Sequence, residues 1–191
     1  MPDPNDLLTF WIDEIGPEGW YRADDAVDAI IRERFEPLWT SVHGGVPTGW
    51  TPTPDSVLAL LILLDQFPRN MFRGSAKSFA TDPEARAKAK KAIARGWDLR
   101  IAEPARQFLY TPLMHSECLE DQERSVRLYK ARMSNTEGLL IHARAHREVI
   151  RRFGRFPHRN IDLGRKSTAA EVAFLDDGGY RTVVDSLRKA A

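Results

Sequence analysis

Apolar residues recur along this chain at spacings of three and four, and no stretch sustains two-residue alternation, so the pattern predicts helices throughout. Leu7, Leu8, Phe10, Trp11 and Ile15 mark a first amphipathic helix that should stop before Gly16-Pro17. Val27, Ile30, Ile31, Phe35 and Leu38 mark a second, closed by His43-Gly44-Gly45. Thr53-Pro54-Asp55 is a start signal: a capping hydroxyl, a proline where no backbone donor is needed, and an acid that suits the helix dipole. The third helix holds the longest apolar run, residues 57–64, and should end at Phe67, because the residue before Pro68 disfavours helical ψ. Asp82-Pro83-Glu84 repeats the start signal, and Gly96 supplies the stop. A fifth helix is predicted over about residues 116–133, with Ser116 as its cap, and a sixth from Thr136-Glu137 to Gly154. Thr168 and Glu171 form a capping box that opens a last short helix. Six or seven helices with short connectors, and no linker or low-complexity tract, make a single all-α domain over residues 1–191.

Composition adds little except where it is uneven. At 191 residues, 29% charged and 42% hydrophobic, the chain is ordinary for a globular protein and unlike a disordered one. With 28 basic against 27 acidic residues, nucleic acid is an unlikely partner, and so is a membrane surface. Yet residues 1–36 hold ten acids and three bases, while residues 142–166 hold eight bases and two acids. Segments so opposed are expected to face one another or to line a site. Cys118 is the only cysteine, so no intrachain disulfide forms and a reducing compartment fits. The opening MPDPNDLL has neither the basic nor the apolar region of a secretory signal, and the longest apolar run falls far short of the ~20 residues that span a bilayer. The expected location is the cytoplasm.

Two corners echo each other: QFPRN at residues 66–70 and RFPHRN at residues 155–160, each just past a long helix. With DQFPRNMFRG, FATDPEAR, FLYTPLMHSECLEDQERSVRLY and IHARAHREVIRRFGRFPHRN, the chain resembles the bacterial family called domain of unknown function 924, over about residues 7–175. The resemblance implies an all-helical, tetratricopeptide-like fold of antiparallel helix pairs packed into a short superhelix, although no 34-residue repeat signature is legible. It implies no activity. It also implies a small polar residue or Asp where this chain has Cys118, which argues against a nucleophilic role there.

Candidate chemistry falls in three places. His142 and His146 share one stripe with Leu139, Val149 and Phe153, so both imidazoles point inward with the apolar residues and within reach of one ligand. His115 and Glu117 flank Ser116 where one helix stops and the next starts, a setting whose free N–H groups suit an anion. If the fifth and sixth helices are antiparallel, His115 lies closer to His146 than to His142. The corners supply Asp65, Arg69, Asn70 and Arg73 in one and His158, Arg159 and Asn160 in the other. Asp65 lies one turn beyond Leu61 and should be buried, so Arg69 or Arg73 is its expected partner; the alternative is an arginine fork presented to a carboxylate or phosphate.

These groups are enough to hold a metal on paper, but the surplus of positive charge at residues 142–166 opposes a cation, so no metal or cofactor is expected. No HExxH, P-loop, GxGxxG or GxSxG occurs. Two readings follow. One is a site for a small anionic molecule, with His142, His146, His115 or Glu117 as acid or base and the corner residues as anchors. The other is a tetratricopeptide-like interaction module for a peptide or a second copy of itself, without catalysis. The residues name no reaction, and the corners are also readable as purely architectural.

Overall fold

The computed structural model describes residues 2–42, 47, 50–134 and 137–190, and among these every regular element is helical. Nine helical stretches are present among them, where the apolar pattern predicted six or seven. They are α1 (residues 4–19), α2 (Asp25–Ser41), α3 (residues 54–71), α4 (Asp82–Ala94), α5 (Thr111–Met114), α6 (Leu119–Arg132), α7 (Glu137–Phe153), α8 (Ala169–Asp176) and α9 (Tyr180–Lys189). Four 3-10 turns punctuate them: Ala76–Phe79, Trp97–Arg100, Ala105–Leu109 and Pro157–Arg159. The additional helices are α5 and α9. Gly178 and Gly179, both at positive φ, part α9 from α8. Tyr180, Val183, Val184 and Leu187 then give α9 an apolar stripe that packs on α7. The expected stop at His43-Gly44-Gly45 and the expected start at Thr136 lie outside the described residues.

By its contacts the chain divides into two compact units, Met1–Pro112 and Leu113–Ala191. In the first unit, α1 passes from α-helix into a π-helical segment, Thr9–Ile15, and the chain turns at Gly16 (φ 65°) into one more helical turn, so helix continues past the expected stop. The wider π turn carries Phe10 and Trp11 into the core, where they meet Phe67 at centroid distances of 6.3 and 5.3 Å. Phe35 completes the cluster at 4.9 Å from Phe67.

Helix α3 corrects the sequence reading at Pro68. The helix does not end at Phe67 but runs on to Met71, through a π-helical segment at Ile62–Gln66. A proline inside a helix leaves the carbonyl four residues earlier without its usual donor. Here that carbonyl, on Leu64, accepts from the Thr81 hydroxyl at 2.6 Å. The next, on Asp65, accepts from the Arg69 guanidinium. π-helical turns occur mostly as such single-turn bulges inside α-helices.

The start signals at Thr53 and Thr168 behave as read, while α4 begins at Asp82 with Thr81 at its cap and no capping bond from that side chain. Thr53 accepts from the Ser56 N–H and Ser56 Oγ accepts from the Thr53 N–H, and Thr168 and Glu171 repeat that reciprocal pattern. Gly96 and Gly154, at φ 69° and 68°, follow the ends of α4 and α7. Helix α6 starts later than expected, with Cys118 and not Ser116 at its cap. The Ser116 hydroxyl is occupied, donating to Asp121 at 3.0 Å and accepting from the Cys118 N–H. In the second unit α6 and α7 pair as neighbours, α9 lies on α7, and Ile141, Ala145, Val149, Ile150, Phe156, Val183 and Val184 form the core. No described helix is long and apolar enough to cross a membrane.

Candidate functional site

The inward stripe of α7 places His142 and His146 one turn apart, and α9 brings Tyr180 against both. The double glycine fixes where α9 begins, so its first residue, Tyr180, sits over the two imidazoles: its ring stacks on His142 at 5.9 Å and meets His146 edge-on at 4.7 Å. The Tyr180 hydroxyl lies 2.7 Å from His142 Nδ1 and 3.1 Å from His146 Nδ1. His146 Nδ1 is also 2.9 Å from the His142 carbonyl oxygen. A carbonyl only accepts, which assigns the proton of neutral His146 to Nδ1 and leaves Nε2 as its basic nitrogen. Tyr180 O–H then donates to His142 Nδ1, so His142 carries its own proton on Nε2. The result is a directed chain in which His146 Nδ1–H is shared between the His142 carbonyl and the Tyr180 oxygen, and Tyr180 O–H donates to His142 Nδ1.

The electrostatics keep this chain neutral. Burial pushes His146 down to about 3, helped by His115, Arg159 and His142 and opposed by the bond to the His142 carbonyl. Burial also lowers His142, with the Arg188 guanidinium adding to it, and burial raises the Tyr180 phenol against the pull of Arg188. A stability prediction follows, with its sign set by which state takes the proton first. In the unfolded chain His146 titrates near 6.5. Below that pH the unfolded state binds a proton that the folded state refuses, so stability falls as pH falls from 6.5, by up to about 1.4 kcal/mol per pH unit, and is unaffected above it. Urea midpoints at pH 7.5 and 5.0 should differ accordingly. His146→Asn, which retains an N–H for the His142 carbonyl, should reduce the difference.

His115 lies with its ring 6.1 Å from that of His146, the neighbour that antiparallel α6 and α7 predict. The second corner joins here through Phe156. Its ring meets His146 edge-on at 5.6 Å, His158 approaches it at 5.7 Å, and the Arg159 guanidinium lies over it at 4.5 Å. Thus His115, His142, His146, His158 and Arg159 are gathered about Phe156 and Tyr180. Glu117 and Asn160 take a different part. Both Glu117 oxygens are held by the Arg165 fork, at 2.7 and 3.0 Å, and one also accepts from the Phe156 N–H at 2.8 Å. Burial alone would raise the Glu117 carboxyl, but those bonds hold it below the usual carboxylate range. Asn160 is buried between Arg165 and Ser167. Glu117 is therefore an ionised tie fixing the corner that carries Phe156, a poor base by this geometry. Among the described residues no three His, Cys, Asp or Glu side chains converge as a metal ion requires.

The first corner, in the first unit, is an ion-pair network of its own. Arg69 reaches both oxygens of Asp82 at 2.9 Å and lies 3.6 Å from Asp65, which is 1% exposed and also accepts from Gln66. Burial would lower the Arg69 guanidinium, and Asp65 and Asp82 more than offset it. Arg73 pairs not with Asp65 but with Asp28 of α2, which also accepts from Asn70 at 2.7 Å. The guanidinium forks of this corner are thus engaged by carboxylates. Sequence reading missed Tyr180, Arg165, Asp28, Asp82 and Thr81. Of these only Tyr180 left a readable signal, the Gly178-Gly179 break followed by Tyr180, Val183, Val184 and Leu187 at helical spacing.

The family described as bacterial protein of unknown function, DUF924, matches residues 7–179. Among solved structures, a protein of unknown function from Agrobacterium tumefaciens is similar at 41% identity and a TM-score of 0.84, over 91% of this chain and 97% of that one. Among curated proteins there is no match.

Proposed function

We propose, from the premise that this chain belongs to the bacterial family of unknown function DUF924, that its second unit binds a small anionic molecule at the histidine–tyrosine cluster and exchanges protons with it. One observation carries the reading: a single phenol hydroxyl joins two neutral imidazoles, 2.7 and 3.1 Å away, in a chain that leaves one basic nitrogen and one N–H at its ends. Such a pair is suited to accept a proton at His146 Nε2 and donate one from His142 Nε2, and the relay through Tyr180 restores neutrality while leaving each imidazole in its other tautomer. The anionic class follows from the cations that act on it. Arg159 and His115 oppose charging of His146, and Arg188 opposes charging of His142. A bound anion reverses that balance and raises both imidazoles, which links binding to proton uptake. Asp65, Arg69, Asn70 and Arg73 take no ligand contact in this reading, because their groups serve each other and Asp28 and Asp82.

The test is a thermal-shift series with inorganic phosphate, phosphomonoesters and small carboxylates at pH 5.5 and 7.5. An anion at 100 times its Kd should stabilise the protein by about 2.7 kcal/mol, a shift of roughly 5 °C or more at this size, and should bind more tightly at the lower pH. His142→Leu with His146→Leu should remove the response while circular dichroism stays helical. Tyr180→Phe should weaken it and flatten its pH dependence. A double variant that responds like the wild type overturns the assignment, as does silence across the panel. A second reading, a tetratricopeptide-like module for a peptide or another copy of the chain, draws on exposed apolar residues of the second unit, among them Ile161 at 91% exposure, Val172 and Leu175. Its measurement is the solution mass by light scattering.

A further inference from the structure

The first unit holds two adjoining hollows, of about 480 and 420 Å³, each within the range of small-molecule sites. Asp55 and Arg100 line both, so they stand on the ridge where the hollows meet. Asp55 comes from the first turn of α3 and Arg100 from the end of the turn Trp97–Arg100. The larger hollow adds Asp13, from the π-helical segment of α1, over an apolar wall that includes the buried Leu58 and Ile101. The smaller is bounded by Trp97.

The charges here differ from the paired arginines of the unit. Arg69, Arg73 and Arg106 are each spent on a nearby carboxylate. Asp13, Asp55 and Arg100 share a cleft, yet none makes a side-chain hydrogen bond or ion pair with another described residue. An acid and a base held close to the same ridge without pairing present complementary groups to something between them. An acidic cluster alone would favour any cation, and a lone arginine any anion. The two together, beside an apolar wall, select a molecule that carries both charges on neighbouring atoms and an apolar group.

We infer that this cleft binds a free α-amino acid with an aliphatic side chain: its ammonium on Asp55 and Asp13, its carboxylate on the Arg100 guanidinium, its side chain against Leu58 and Ile101. Guanidinium–carboxylate and ammonium–carboxylate bonds are the strong, charge-assisted kind, and the arginine fork fixes the orientation of the carboxylate. The site is independent of the histidine cluster, so the two proposals stand or fall apart.

Calorimetric titration of the full chain tests it with three probes: L-leucine, 3-methylbutylamine, which lacks the carboxylate, and 4-methylpentanoate, which lacks the ammonium. The expected result is measurable binding of L-leucine, with each one-charge analogue weaker by about tenfold or more. Arg100→Gln and Asp55→Asn, both at exposed positions, should each weaken L-leucine by a similar factor and leave the anion response of the histidine cluster unchanged. Absence of heat with L-leucine overturns the inference. So does an amine that binds as tightly as L-leucine, or an Arg100→Gln variant that binds it like the wild type.

Discussion

Replacing Arg69 by leucine is expected to cost the protein about 3 kcal/mol of stability, the lower end of what breaking a buried charge pair costs. Its guanidinium serves four acceptors at once: the backbone carbonyl of Asp65, the Asp65 carboxylate and both oxygens of Asp82. Without it Asp65, at 1% exposure, is left buried without its cation, and the Asp65 carbonyl next to the Pro68 break loses its donor. The side chain of Arg69 is 21% exposed, so water recovers part of the loss and the upper end of the range is not expected. Urea unfolding checks it: the midpoint should fall with the slope unchanged. Adding Asp82→Leu should cost less than the sum of the two changes, because each removes the same pair. A loss below about 1 kcal/mol would mean that the fork is held loosely and is free to take a ligand, the role that the Phe-Pro-Arg-Asn corner suggests from sequence alone.

What was legible in the sequence was what acts locally. Thr53, Thr168, Gly96 and Gly154 do their work within a few residues, at helix ends whose needs repeat in every protein, and each was readable. The passage of α3 through Pro68 was not, because the donor that rescues the Leu64 carbonyl is Thr81, seventeen residues away on another element. The same holds in the site. The α7 stripe gave His142 and His146, since a helix period suffices to put them together. Tyr180, which makes them a chain, lies 38 and 34 residues further on. Arg165 reaches Glu117 across 48 residues, and Arg73 reaches Asp28 across 45. Among 28 basic residues nothing in spacing singles out those two, so Glu117 read as a candidate base and Arg73 as the partner of Asp65.

Phe67→Ala should be the most costly single change in the first unit, at about 3–5 kcal/mol. Phe67 is wholly buried and is the ring on which the aromatic cluster converges, with Phe10, Trp11 and Phe35 between 4.9 and 6.3 Å from it. It is also the residue between the π-helical segment and Pro68, so its position depends on the wide turn before it. That dependence decides between two outcomes. If the π turn is held by the Arg69 and Thr81 hydrogen bonds, the cavity left by the ring cannot collapse and the full loss appears. If the ring itself holds the turn open, α3 relaxes when it is removed, the cavity closes and the loss falls toward the lower limit. Phe67→Leu separates the two, since it retains most of the volume but not the edge-on ring contacts, which are worth about 0.5–1.5 kcal/mol each. A small loss for leucine beside a large one for alanine assigns the cost to the cavity, and hence the turn to its hydrogen bonds. Because a domain of this kind is stable by only about 5–15 kcal/mol, the alanine variant should unfold at markedly lower urea, and that midpoint is the measurement.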